Sequence, residues 1–204
     1  MEEAKISLSP SEFELVTNAE TILTKNRVLQ KIQDSFGHLG NHEQHFIEIN
    51  GFSQLNEFSV GPKISKGENY MGLPYVILDY PRYSSGEDFF FIRQMFWWGH
   101  LFSCTLQVKG KYKNTLLDKI LHEQSDKVTN SYFIGIHKDP WNHHFESDNY
   151  KQIRNVNDSE LKLLFGSQEY IKIASKWPLA NYNNINDLMF ETWKYLLTIS
   201  RLIA

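Results

Sequence analysis

The chain has 204 residues, 41% hydrophobic and 14% aromatic, enough apolar surface to build a core and to exclude global disorder. Its single Cys excludes an internal disulfide framework, a zinc ribbon and a CxxC redox pair. A formal net charge of −3, from 21 basic and 24 acidic side chains, gives no general attraction to nucleic acid or to an anionic membrane.

In chain order, Ser9-Pro10-Ser11-Glu12 opens a helix: Ser9 caps, Pro10 suits the first helical position, and Glu12 completes a capping box. A second helix is predicted over residues 19–36, where Ile22, Leu29, Ile32 and Phe36 recur at helical spacing and Gly37 can cap the end. A short helix is expected over residues 41–47. Residues 73–80 read as a strand whose Pro74 belongs near an edge or an end. A turn at residues 84–88 leads into two long strands, 89–98 and 100–109, with a bend or bulge at Gly99.

A helix over residues 112–124 follows, then short strands near 132–137 and 150–156. Helices are predicted from residue 158 to 164, from 168 to 176 and from 184 almost to the end of the chain. The last carries apolar residues on most sides, so it belongs in the centre of the domain or at a subunit interface, and a homodimer is one expectation. Consecutive strands between groups of helices predict an α+β fold: a central antiparallel β-sheet with N-terminal and C-terminal helices packed on it. Residues 1–204 form one domain, without repeats or low-complexity linkers. The start Met1-Glu2-Glu3-Ala4-Lys5 lacks the apolar run of a signal peptide. Arg93, Gln94 and His100 interrupt the longest apolar stretch, so no membrane span of about 20 residues is predicted and the expected location is the cytoplasm.

Alternation divides the two long strands into faces. Phe90, Ile92, Gln94, Phe96, Trp98, His100, Phe102, Cys104, Leu106 and Val108 form an apolar set that should meet the core. The other set holds Phe89, Phe91, Arg93, Met95 and Trp97, then turns polar. Arg93 among rings needs a carboxylate or several carbonyls. The ordinary explanation is a structural ion pair to Asp79. The functional one is an anion anchor beside Phe91 and Trp97, with Arg82 as a second anchor and Tyr75 and other tyrosines adding hydroxyls. His100 reads first as a core histidine and second as a base or ligand contact.

Secondary candidates are metal ligands. His38, His42 and His45 share a helical face, but His42-Glu43-Gln44-His45 is one residue short of the zinc-binding HExxH spacing. His137, His143 and His144 crowd a polar, aromatic loop without matching a template. Cys104 with His100 fails as a dyad, because four strand residues separate them by about 13 Å. No GxSxG, Walker or GxGxxG motif is present, and Lys109, Lys111 and Lys113 read as a solvated turn. The leading expectation is a non-catalytic binding or interaction module with an aromatic and arginine sheet face. It needs no cofactor, binds no nucleic acid or membrane, and takes a small-molecule or protein partner. The alternatives are a metal-dependent enzyme using a His cluster and a partner-inhibiting, immunity-type protein using the acidic N-terminal third.

Overall fold

The structure, a computed structural model, describes residues 5–122 and 131–203. Its elements are α1 (Pro10–Thr17), α2 (Ala19–Ile49), β1 (Lys63–Tyr70), β2 (Leu73–Ser85), β3 (Asp88–Trp97), β4 (Leu101–Lys109), α3 (Lys111–His122), β5 (Phe133–Gly135), β6 (Tyr150–Gln152), α4 (Asp158–Ser167), β7 (Ile171–Pro178) and α5 (Ile185–Ile199). The strands form one sheet in the order β1-β2-β3-β4-β7-β5-β6, and its pairings are antiparallel. Helices from both ends of the chain pack on it, as expected for the α+β class. The helix predicted to residue 124 runs to His122, and its last two residues lie outside the described ones.

Trp97 pairs with Leu101 across a three-residue connection in which Gly99 takes a positive φ of 73°. The parity of the two strands is therefore kept. Phe90, Ile92, Gln94 and Phe96 face the core with Phe102, Cys104, Leu106 and Val108, as alternation predicted. His100 is the exception: it sits exposed in the connection rather than in the core.

Three further expectations are corrected. Gly37 does not end a helix, because α2 runs unbroken for 31 residues. Gly40, in the same helix, marks a close crossing: a Cβ there would lie 3.0 Å from Pro62 Cβ and 3.2 Å from Leu78 Cδ1. Residues 168–176 are not helical. Ile171 and Ile173 alternate with Lys172 and Ala174, and that period of two fills the slot beside β4, with Leu106 opposite Ile173. Finally, the polar edge strand β1 was not predicted at all.

On the core face α2, α3 and α5 cover the sheet. Trp193 of α5 is wholly buried, and its indole Nε1 donates to the Tyr80 carbonyl at 2.7 Å. A buried indole needs such a partner. The last helix is thus central to the domain, the first of the two roles its composition allowed. Cys104 is also wholly buried, and burial pushes its thiol well up, which leaves it a core side chain.

One core residue is unexpected. Glu43 of α2 is fully buried and accepts from Gln94 Nε2, while Glu43 Oε2 and Gln94 Oε1 have no partner. Burial pushes this carboxyl well above its ordinary 4.5, so it is held neutral. A proton bound more tightly in the folded chain favours folding below the ordinary value, and the advantage is lost as pH rises. Glu43→Gln should therefore leave stability unchanged at about pH 4 and raise it by about 2 kcal/mol at about pH 8. Urea unfolding across that range checks this, and a difference that does not grow with pH would contradict it.

Candidate functional site

The other face of the sheet carries the residues that the sequence singled out. Arg93 on β3 lies opposite Asp79 on β2 and Thr105 on β4. Its guanidinium forks onto the carboxylate: Nε donates to Oδ1 and Nη2 to Oδ2, both at 2.8 Å. The side chains are 15% and 8% exposed, so the pair is largely desolvated. In such a place a lone guanidinium costs several kcal/mol, and a parallel two-bond fork is the geometry that offsets it.

The segment between β5 and β6, residues 136–149, passes over this pair as a strap. The Trp141 indole lies 5.3 Å from the guanidinium carbon. His143 Nε2 is 3.2 Å from Arg93 Nη1. An arginine nitrogen only donates, so Nε2 accepts and the His143 proton sits on Nδ1. Burial, then the positive charges of Arg93, Lys172 and His144, hold this imidazole well below the usual histidine range.

The strap is tied down along its length. The Tyr70 hydroxyl accepts from the backbone N–H of His143 at 2.6 Å and of His144 at 3.0 Å. Lys172 Nζ donates to the Asn142 carbonyl at 2.8 Å and to Asn149 Oδ1 at 3.0 Å. Gln107 donates to the Pro140 carbonyl. Lys172 is nearly inaccessible, and burial brings its ammonium down to about 8. Its stem crosses Gly135, where a Cβ would lie 2.6 Å from Lys172 Cε. Only glycine leaves room for that path.

Two aromatic groups flank the ionic centre. On one side Ile77, Met95 and Trp97 form a small buried cluster, joined by Tyr70, Tyr75, Leu73 and Leu101. His100 stacks on Trp97 at 3.6 Å from the solvent side. On the other, Phe89 and Phe91 stack at 4.2 Å, with Tyr170 edge-on to Phe89 at 5.3 Å and Trp141 at 6.5 Å. Trp141 is 48% exposed.

Of the predicted residues, Arg93, Phe91, Trp97 and Tyr75 therefore share one face. Arg82 does not join Arg93: the register shifts between Asp79 and Arg82, and Arg82 Nε donates to the Gly61 carbonyl at 3.3 Å. Arg93 takes the structural pairing with Asp79 rather than standing open as an anion anchor. The two His clusters do not meet. His38, His42 and His45 are exposed on α2, which packs on the opposite face, and His42 stacks on Phe190 at 4.0 Å. His137 Nδ1 accepts from the Asp139 N–H, and His143 is spent on Arg93. Among the described residues no three or more His, Cys, Asp or Glu are arranged to hold a metal ion.

The sequence reading missed Lys172 as a buried cation and Trp141 as a ring over Arg93. A signal existed for the first: a lysine between two isoleucines, Ile171 and Ile173, in strand alternation. Comparison with protein-family models, curated proteins and solved structures returns no match.

Removing one member of the fork strands the other charge in a dry place. Arg93→Met or Asp79→Leu alone should lower stability by about 3 kcal/mol, while the two together should recover most of that loss. Chemical denaturation of the three variants measures this, and additive losses in the double variant would show that the two side chains act separately.

Proposed function

We propose that this chain is a cytoplasmic, non-catalytic binding module that recognises a partner with an apolar or aromatic group at the ring patch of Phe89, Phe91, Trp141 and Tyr170. The observation that carries this reading is the state of Trp141. It is half exposed, yet braced edge-on against Phe89 and over the Arg93 guanidinium. A large ring held in place loses little freedom on binding, which is why Trp and Tyr dominate the energetics of recognition surfaces.

The enclosure of the chemically capable groups beneath the strap supports the non-catalytic part of the reading. Catalysis needs an acid, base or nucleophile that a substrate can reach. His143, Lys172 and Asp79 are enclosed and spent on neighbours, and Cys104 and Glu43 lie in the core. The cytoplasmic assignment rests on the single buried thiol. No helix among the described residues is long and apolar enough to cross a membrane. The Arg93 face thus contributes as the support of the patch, with His100 and Trp97 as a second, smaller stack at its far end.

Trp141→Ala is the test, because it removes the exposed ring and leaves the Arg93–Asp79 fork. Affinity capture from the source lysate with the tagged wild-type chain should recover a partner that Trp141→Ala loses, with thermal unfolding showing that the variant stays folded. A partner held equally by both proteins would contradict the reading.

A further inference from the structure

The strap is held to the sheet by polar groups. Of residues 136–149 only His143 and Asn149 have buried side chains, and both are polar. The two ends are pinned. The Ile136 N–H donates to the Asn149 carbonyl at 2.8 Å, and Phe145 stacks on Tyr150 at 4.4 Å and meets Phe133 edge-on at 5.3 Å. Between these ends, residues 137–144 are tied down by hydrogen bonds from Arg93, Tyr70, Gln107, Lys172 and Asn149. Bonds of this kind are worth little net once water can replace them, so a change of charge at one of them can decide whether the segment stays down.

The bond between Arg93 and His143 depends on a proton. Arg93 Nη1 can only donate, so the 3.2 Å contact needs the lone pair of His143 Nε2. A second proton on the ring fills that lone pair and sets two cationic N–H groups against each other. The surroundings give an imidazolium no relief. Lys172 of β7 and the neighbouring His144 add positive charge. Asp79 of β2 has both oxygens on Arg93. On the strap, Asp148 lies 3.8 Å from His144 Nδ1, Asp139 accepts from the Trp141 N–H, His137 accepts from the Asp139 N–H, and Lys138 and Glu146 are exposed. The Tyr70 hydroxyl of β1 is taken by two backbone N–H groups, and burial pushes the Tyr150 hydroxyl of β6 up, so neither supplies a negative charge. From β4 the neighbours are Thr105 and Gln107, which do not titrate. Among the described residues no carboxylate bonds to His143.

We propose that the strap is an acid-operated latch: a proton taken up by His143 releases residues 137–144 from the sheet while the seven strands stay folded. Trp141 rides on this stretch, so opening also lifts it off Phe89 and the Arg93 guanidinium. The latch rests on the strap's own bonds and not on the partner proposed above. Proton linkage sets its direction. The ring is harder to protonate under the strap than free in water, where its ordinary value is 6.5. The closed strap therefore keeps its full advantage above about pH 6.5, and each pH unit below that multiplies the open population by about ten. Global unfolding takes up the same proton but gives back the one on buried Glu43, so these two groups leave the strands without such a loss.

Amide hydrogen exchange at about pH 7 and about pH 5, corrected for the intrinsic rate at each pH, tests the latch. On going to the lower pH the His143 and His144 amides, which Tyr70 holds, should lose about tenfold or more of their protection relative to β3 and β4. His143→Gln should abolish the change, because a glutamine offers Arg93 an acceptor oxygen that takes up no proton. His144→Gln should leave it in place. NMR titration of the His143 ring in the wild-type chain gives a second measure that needs no variant to fold, and its midpoint should lie below the ordinary 6.5. Relative protection that is the same at both pH values, a loss that survives in His143→Gln or vanishes in His144→Gln, or a His143 midpoint at or above 6.5 would overturn the proposal.

Discussion

A guanidinium in the middle of a β-sheet has to be neutralised and then covered, and the outer face of this protein is organised around that requirement. Arg93 is largely desolvated on a central strand, and the cross-strand neighbour Asp79 supplies the opposite charge in a two-bond fork. The pair still offers a nitrogen and a flat cationic surface. His143 takes the first as a neutral acceptor, and Trp141 lies over the second. Both belong to the strap, so satisfying one arginine draws a whole segment across the sheet. Lys172 and Tyr70 then fix the strap's own backbone, whose carbonyls and N–H groups would otherwise be buried unpaired.

The two sides of the sheet bury charge-bearing residues in opposite ways, and local geometry decides which. On the outer face Asp79 meets a cation that matches both its oxygens. On the core face Glu43 meets only the amide of Gln94, which donates to one oxygen. An amide cannot offset the loss of water around a full charge, so the carboxyl keeps its proton. Lys172 lies between these cases. It donates to two neutral acceptors and lies 4.8 Å from the face of Tyr150, and burial brings its ammonium down to about 8 against the pull of Asp139.

Much of this was legible in the residues. The capping box at Ser9, the core parity of Phe90 to Val108 and the pairing of Arg93 with Asp79 each follow from local chemistry or strand geometry. What was not legible depends on tertiary contact. Gly37 looks like a helix terminator until α2 is seen to run on past it, with Pro62 and Leu78 against Gly40. Residues 171–178 carry lysines that suit a helix surface, and the slot between β4 and β5 makes them a strand. His143 read as a metal candidate because tandem histidines beside acids suggest ligands. Its real partner is fifty residues away across the sheet. The parity rule placed His100 wrongly because it ran the strand through a turn.

The proposed recognition surface, the ring patch beside the strap, depends on a strap that is a fixed part of the fold at neutral pH. Amide hydrogen exchange tests that dependence most directly. In the wild-type protein the Ile136, His143 and His144 amides, bonded to the Asn149 carbonyl and the Tyr70 hydroxyl, should exchange as slowly as those of β3 and β4. Exchange of these amides at the rate of a free loop, while β3 and β4 stay protected, would contradict the account.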